Sequence, residues 1–152
     1  MYLWFLNQCK DGSIDADWVG FFDVDEFIDF EDGWDLNKLE EEYKDKGGVL
    51  LSWVMFGANG HIDRPDGNVV KNYTTHLPLG AYIESSPQWC VKSLVNVKNC
   101  DGMPNIHIFN GCEKTDGSDF KAPLCFEKAW LNHYFTKSWE DYLDRIFNRG
   151  NM

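Results

Sequence analysis

The chain is poor in positive charge. Its 152 residues carry 14 Lys and Arg against 25 Asp and Glu, a formal net charge of −11. Phosphate backbones and anionic lipid surfaces are held by clustered basic side chains, so this deficit argues against a nucleic-acid partner and against an anionic membrane surface. Cysteine is sparse and unpatterned. The five cysteines, Cys9, Cys90, Cys100, Cys112 and Cys125, are odd in number and form no C-x-x-C pair, which signals neither a closed disulfide set nor a zinc knuckle. The simplest expectation is a reduced, cytoplasmic setting. No apolar run reaches the length of about eighteen residues that a membrane-spanning helix needs. The opening MYLWFLNQCKDG has no basic n-region and too short an apolar stretch for a signal peptide. Repeats, low-complexity tracts and Pro/Ser linkers are also absent, so residues 1–152 read as one domain.

A hydrophobic fraction of 43% with 16% aromatics is enough for a core, and the pattern along the chain alternates strand-like and helix-like segments. Residues 17–22 read as a buried strand. Residues 35–43 read as a helix with Asp35 as N-cap and Leu36, Leu39 and Tyr43 on one side, stopped by Gly47-Gly48. VLLSWVMF, residues 49–56, is the strongest strand signal. Residues 57–87 are rich in Gly, Asn, Asp, His and Pro and predict a long loop region. Further strands are expected at 90–97, 105–109 and 129–134. A closing amphipathic helix has Ser138 as its cap, Asp141 at N3 and a stripe of Trp139, Tyr142, Leu143, Ile146 and Phe147 before Gly150, a stripe expected to pack into the core. The start, YLWFLNQC, resembles the tail of a helix. Together these predict an α/β fold.

VGFFDVDEFI, residues 19–28, puts three carboxylates directly after an apolar strand. Ligands of open α/β sheets bind at the carboxyl ends of strands, where Asp23 and Asp25 fall. If the chain stays extended, residues i and i+2 point the same way, so both carboxylates face one hard cation, Mn²⁺ or Mg²⁺, and Val24 points back into the core. The bland alternative is that Asp23, Asp25 and Glu26 cap turns on a solvated loop.

DWVGFFDVDEFI resembles the DxD region of glycosyltransferase family 2-like and family 92-like enzymes. VLLSWVMFGANGH (49–61) is similar to their W-x-x-F-G-x-x-G-H segment, KSLV (92–95) to their Lys-Ser strand, NIHIF to the His that follows, and LNHYFTKSWEDYLDR (131–145) to their N-H-Y-x-x-K-S helix entry. The resemblance implies a GT-A-like mixed sheet flanked by helices, with this chain as the C-terminal portion of a catalytic domain that lacks the N-terminal nucleoside-binding strands, and so a fragment with little activity alone. It implies a metal-dependent, inverting, hexosyltransferase-like enzyme that takes a nucleotide-sugar donor and a glycan acceptor, peripheral to a membrane-associated glycan assembly pathway.

Carried onto this sequence, the resemblance makes Asp23 and Asp25 the DxD, Asp25 the likelier direct metal ligand, His133 a third ligand and Lys137 a contact to the leaving diphosphate. Glu26, Lys92 and His107 fall at matching positions as substrate-side candidates, Lys92 alternatively pairing with a carboxylate of the cluster. Trp53 and Trp89 offer flat apolar faces to a sugar ring. His133, His107 and both tryptophans have an ordinary core reading beside these. Asp63, Asp66 and Glu84 are the candidates for the base that deprotonates the acceptor, with nothing to choose among them. Two other classes compete: a non-catalytic carbohydrate-binding or interaction module of the same fold, and a metal-dependent phosphohydrolase, which would need a nucleophile arrangement the chain does not display.

Overall fold

The computed structural model describes residues 1–148, without the side chains of residues 84 and 85; Gly150, expected to follow the last helix, lies outside the described residues. In chain order the elements are α1 (Tyr2–Lys10), β1 (Trp18–Gly20), β2 (Glu26–Phe30), α2 (Leu36–Glu42), β3 (Gly48–Met55), α3 (Val69–Asn72), α4 (Leu79–Ser85), β4 (Val91–Asn96), β5 (Cys112–Lys114), β6 (Ala129–His133) and α5 (Trp139–Asn148). This is the mixed α/β sheet flanked by helices that the resemblance implies.

The strand order is β1-β4-β3-β6-β2, with β5 also paired to β3. β4 runs antiparallel to β1 and β3, β6 and β5 run parallel to β3, and β2 runs antiparallel to β6. The carboxyl ends of β1, β3 and β6 and the amino ends of β2 and β4 therefore share one edge. β3 is central because its eight residues are nearly all buried and apolar, which only a strand covered on both faces tolerates. Gly48, at φ +144, lets β4 approach: a Cβ there would lie 2.2 Å from the Leu94 carbonyl oxygen.

Two apolar layers sandwich the sheet. On one face Leu50, Val54, Val91 and Val95 pack with Leu6 and Cys9 of α1 and Tyr82 of α4. On the other, Leu51, Trp53, Leu94 and Leu131 pack under Leu39 of α2 and Tyr43, which follows its last turn. Asp35 caps α2 as its sequence predicts, its carboxylate accepting from Lys38 N–H at 2.9 Å. All five cysteines are free thiols. No helix among the described residues is long and apolar enough to cross a membrane.

Several expectations are corrected. The strand expected over 17–22 is three residues long and lies at an edge, with only Val19 buried. Residues 105–109 form no strand, because the Asn105 side chain accepts from the backbone N–H of His107 and Ile108 and so holds a turn; the pairing strand is β5 instead. The loop region contains α3 and α4. The stripe on α5 is not core: the helix has no buried residue, and Trp139 and Phe147 are 54% and 76% exposed. Its N-terminus is nonetheless anchored, with Asp141 N–H donating to Ser138 Oγ and the N–H groups of Trp139 and Glu140 donating to the carbonyls of His61 and Ile62.

Candidate functional site

β1 ends at Gly20 and the chain then turns at Val24 and Asp25 before Glu26 opens β2. The turn breaks the alternation on which a shared DxD face depends. Val24 does not enter the core; it is 96% exposed. Glu26 clasps the turn, with its Oε2 accepting from Asp23 N–H at 2.8 Å and its own N–H donating to the Asp23 carbonyl at 3.0 Å. Asp23 and Asp25 consequently serve different partners.

Asp23 meets Lys92 of β4, whose Nζ lies 3.0 Å from Asp23 Oδ2 and 3.6 Å from Glu26 Oε2. Lys92 and Glu26 are buried, whereas Asp23 is open to solvent. Burial pushes the Glu26 carboxyl above its usual range, against the opposing pull of the Asp23 N–H and Lys92.

Asp25 divides its two oxygens. Oδ2 lies 3.4 Å from Lys137 Nζ and 3.5 Å from Arg145 Nη2, while Oδ1 faces His133 Nε2 across 3.9 Å. The turn is tied to β6 by Tyr134 N–H donating to the Asp25 carbonyl at 2.9 Å. Lys137 holds φ at 53°, a left-handed conformation that costs a side-chain-bearing residue about 1 kcal/mol or more and that turns the chain between β6 and α5. Arg145, from the inner side of α5, lies 3.9 Å above the Phe135 ring, which fixes the guanidinium beside Asp25.

His133 and Glu26 are directly opposed across the β2–β6 pair, so their side chains share the face that carries Trp53 and Lys92. The Trp53 ring is buried with its centroid 4.6 Å from His133 and 5.3 Å from His107. Burial depresses His133 to about 4, winning over the carboxylates of Asp25 and Asp23, so the ring is neutral near pH 7. His107 is likewise lowered by burial, and its Nδ1 bonds the Val91 carbonyl at 3.2 Å. Three buried polar atoms on this face find no hydrogen-bond partner among the described residues: Glu26 Oε1, Trp53 Nε1 and His133 Nδ1.

The fold thus brings together Asp23, Asp25, Glu26, Trp53, Lys92, His107, His133 and Lys137. It leaves out others. Trp89 is exposed on the segment before β4. Asp63 and Asp66 are exposed on the loop after β3, Asp63 lining a groove against Trp139 and Glu140 of α5. The Glu84 side chain lies outside the described residues. Arg145 and Phe135 were not singled out by sequence reasoning; a cation about 120 residues along the chain from Asp25 carries no local signal, and only the packing of α5 aims it at Asp25.

Among the described residues no three His, Cys, Asp or Glu side chains are gathered so as to hold a metal ion by themselves. Asp25 Oδ1 and His133 Nε2, a carboxylate oxygen and an imidazole nitrogen, lie 3.9 Å apart. Ions of the Mg²⁺ type commonly take one or two protein ligands and complete their shell with water and substrate phosphates, and two ligands at about 2.0–2.1 Å from one ion lie at most about 4 Å apart. The pair fits such an ion.

The chain is similar to a glycosyltransferase family 92 protein of Oryza sativa subsp. japonica, at 27% identity over 143 residues covering 88% of this chain and 22% of the relative. It resembles family 92 glycosyltransferases. A second such protein, from Ricinus communis, is 26% identical over 140 residues, covering 88% of this chain and 23% of the relative. The chain thus spans about a fifth of the length of the curated relatives it matches. No family model matches it. The aligned part takes in most of the sheet edge just described, which makes the family 92 likeness one of the site-bearing region.

Proposed function

We propose that this chain forms the metal- and diphosphate-holding part of a glycosyltransferase that moves a sugar from a nucleotide-sugar donor to a glycan acceptor. The observation that carries this reading is the division of Asp25: one oxygen faces His133 and the other faces two cations. Asp25 Oδ1 and His133 Nε2 would hold Mn²⁺ or Mg²⁺, and Lys137 and Arg145 stand where they can exchange the Asp25 carboxylate for phosphate oxygens. When bound, the ion supplies positive charge against the diphosphate as it leaves. Lys137 and Arg145 add to that stabilisation, Arg145 with a planar fork suited to phosphate and Lys137 as a point charge. Asp23 takes no direct ligand role in this reading, because Lys92 already occupies it; it and Glu26 hold the turn that presents Asp25. An inverting outcome requires a carboxylate to accept the proton of the attacking hydroxyl, and Asp63 and Asp66 are the exposed candidates.

The test is calorimetric titration of Mn²⁺ into the chain with and without UDP, repeated on Asp25→Asn. The reading requires Mn²⁺ binding that UDP tightens and that Asp25→Asn abolishes. Metal binding unaffected by Asp25→Asn moves the seat elsewhere. A chain that binds neither metal nor UDP but retains glycans on an affinity column would be a carbohydrate-binding module instead.

A further inference from the structure

His107 is held at four points. The Asn105 side chain accepts from its backbone N–H at 2.8 Å, and its carbonyl accepts from Ser93 Oγ at 3.0 Å, a hydroxyl that accepts in turn from Phe109 N–H. The ring stands edge to face with Trp53, centroids 5.3 Å apart. Its Nδ1 lies 3.2 Å from the Val91 carbonyl, which can only accept, so Nδ1 carries a proton. Nε2 is left as the free end of a fixed ring, and it takes no hydrogen bond among the described residues.

Two charged groups face this ring, Lys92 of β4 and Asp23 of the turn before β2; burial and the ammonium together lower it from its usual value, so Nε2 keeps its lone pair near pH 7. The Lys92 ammonium beside the ring also opposes a second cation on Nε2, which suits the atom to a neutral donor. A hydroxyl both gives and accepts a hydrogen bond, and this side of the sheet edge offers both: acceptors on Nε2 and on the solvent-open Asp23 carboxylate, and an ammonium N–H of Lys92 beyond those turned to Asp23 and Glu26. The Trp53 ring touches both His107 and His133, so these groups lie one indole across from the Asp25–His133 pair.

We propose that His107 is a specificity-determining residue: its Nε2, aimed by the Nδ1–H bond to the Val91 carbonyl, accepts the hydrogen of a sugar hydroxyl bound beside Trp53 and Asp23. A sugar without a hydroxyl at that position loses the bond and is held less well. The free acceptor and its orientation rest on the hydrogen bonds around His107; that the hydroxyl belongs to a sugar rests on the reading given under Proposed function.

The test uses the chain labelled with ¹⁵N-histidine, in which His107 is recognised by contacts to Trp53 without the Phe135 contacts that mark His133. Two-bond ¹H–¹⁵N correlation near neutral pH should show a protonated Nδ1 and an unprotonated Nε2. Two arms separate the source of the hydroxyl. For a donor sugar, UDP-glucose, UDP-galactose and UDP-N-acetylglucosamine are added with Mn²⁺ and compared with UDP and Mn²⁺; for an acceptor, the methyl glycosides of the same three sugars are added without metal. The Nε2 signal should move upfield in one arm or the other and stay in place with UDP. His107→Asn, whose amide can keep the Val91 bond while offering nothing at the Nε2 position, should weaken the responding sugar about 2- to 10-fold, the worth of one hydrogen bond, with Mn²⁺–UDP affinity unchanged. An Nε2–H tautomer, no shift in any arm, or a shift that UDP reproduces overturns the proposal whether or not His107→Asn folds. A folded His107→Asn that binds the sugar as tightly as the unsubstituted chain also overturns it. A shift with a methyl glycoside in a chain that binds no Mn²⁺ upholds the role of His107 and removes the metal reading.

Discussion

Lys92 is 3% exposed, yet the Asp23 carboxylate it contacts at 3.0 Å is 56% exposed. The buried ammonium is thus compensated from two directions, by a solvated carboxylate above and by the fully buried Glu26 below, 3.6 Å away. The two neighbours are not equivalent, and substitution should separate them. Asp23→Asn loses a partner that water can replace, and should cost no more than about 1 kcal/mol of stability. Lys92→Met strands Glu26 as a buried carboxylate without a cation, and should cost about 3–5 kcal/mol. Urea unfolding of both variants checks this; equal losses would place the energy in Asp23.

His133 should give stability a marked acid limb. Its pKa is about 4 in the fold against 6.5 unfolded, because burial disfavours the charged ring. Between those values the unfolded chain binds the extra proton, so stability is full above about pH 6.5 and falls as pH drops towards 4. At about 1.36 kcal/mol per unit, the loss is on the order of 3 kcal/mol. Glu26, raised by its own burial, works in the opposite sense, since its protonation favours the fold. The slope attributable to His133 is therefore the difference between the unsubstituted chain and His133→Phe, measured by denaturant unfolding from pH 7 to pH 4. No change in slope would mean that the ring is solvated.

A second buried lysine has no part in the site. Lys114 lies at the end of β5, 0% exposed, and its ammonium donates to the carbonyls of Phe120, Ala122 and Pro123, which gathers the loop that leads to β6. Lys114→Met removes three charge-assisted hydrogen bonds to part-buried carbonyls, and should destabilise by about 3 kcal/mol. Mn²⁺ affinity in the folded variant should be unchanged, which calorimetry would show.

The apolar stripe of α5 should contribute little. Phe147→Ser, at a position 76% exposed, should change stability by less than about 0.5 kcal/mol. Leu39→Ala on α2, at 0% exposure, should cost about 2–5 kcal/mol. Thermal melts of the pair distinguish an exposed stripe from a packed one.

Much of the secondary structure is legible in the sequence because its causes are local. The Asp35 cap, the apolar run of β3 and the Ser138–Asp141 cap of α5 each depend on residues a turn or less apart. β2 was not legible: EFIDF alternates like a half-buried strand but follows the carboxylates that drew attention to a loop, and its pairing partner β6 lies about a hundred residues on. The α5 stripe misleads for a related reason. Amphipathic spacing says that one face differs from the other, and not that anything covers it.

Which residues gather at this edge was mostly legible in the sequence, since Asp-Val-Asp-Glu lies between the end of one strand and the start of the next and so falls near a sheet edge. Their partnership was not. Which cation meets which carboxylate depends on β4, the β6–α5 connection and α5 converging from positions 92, 137 and 145 on residues 23–26, and on a turn at Val24 that sends Asp23 and Asp25 to different neighbours. Charge and hydrophobicity are properties of single residues and short windows, so composition and pattern carry them. Distances of 3–4 Å between residues about seventy to a hundred and twenty positions apart exist only once strand pairing and two apolar layers have closed around them.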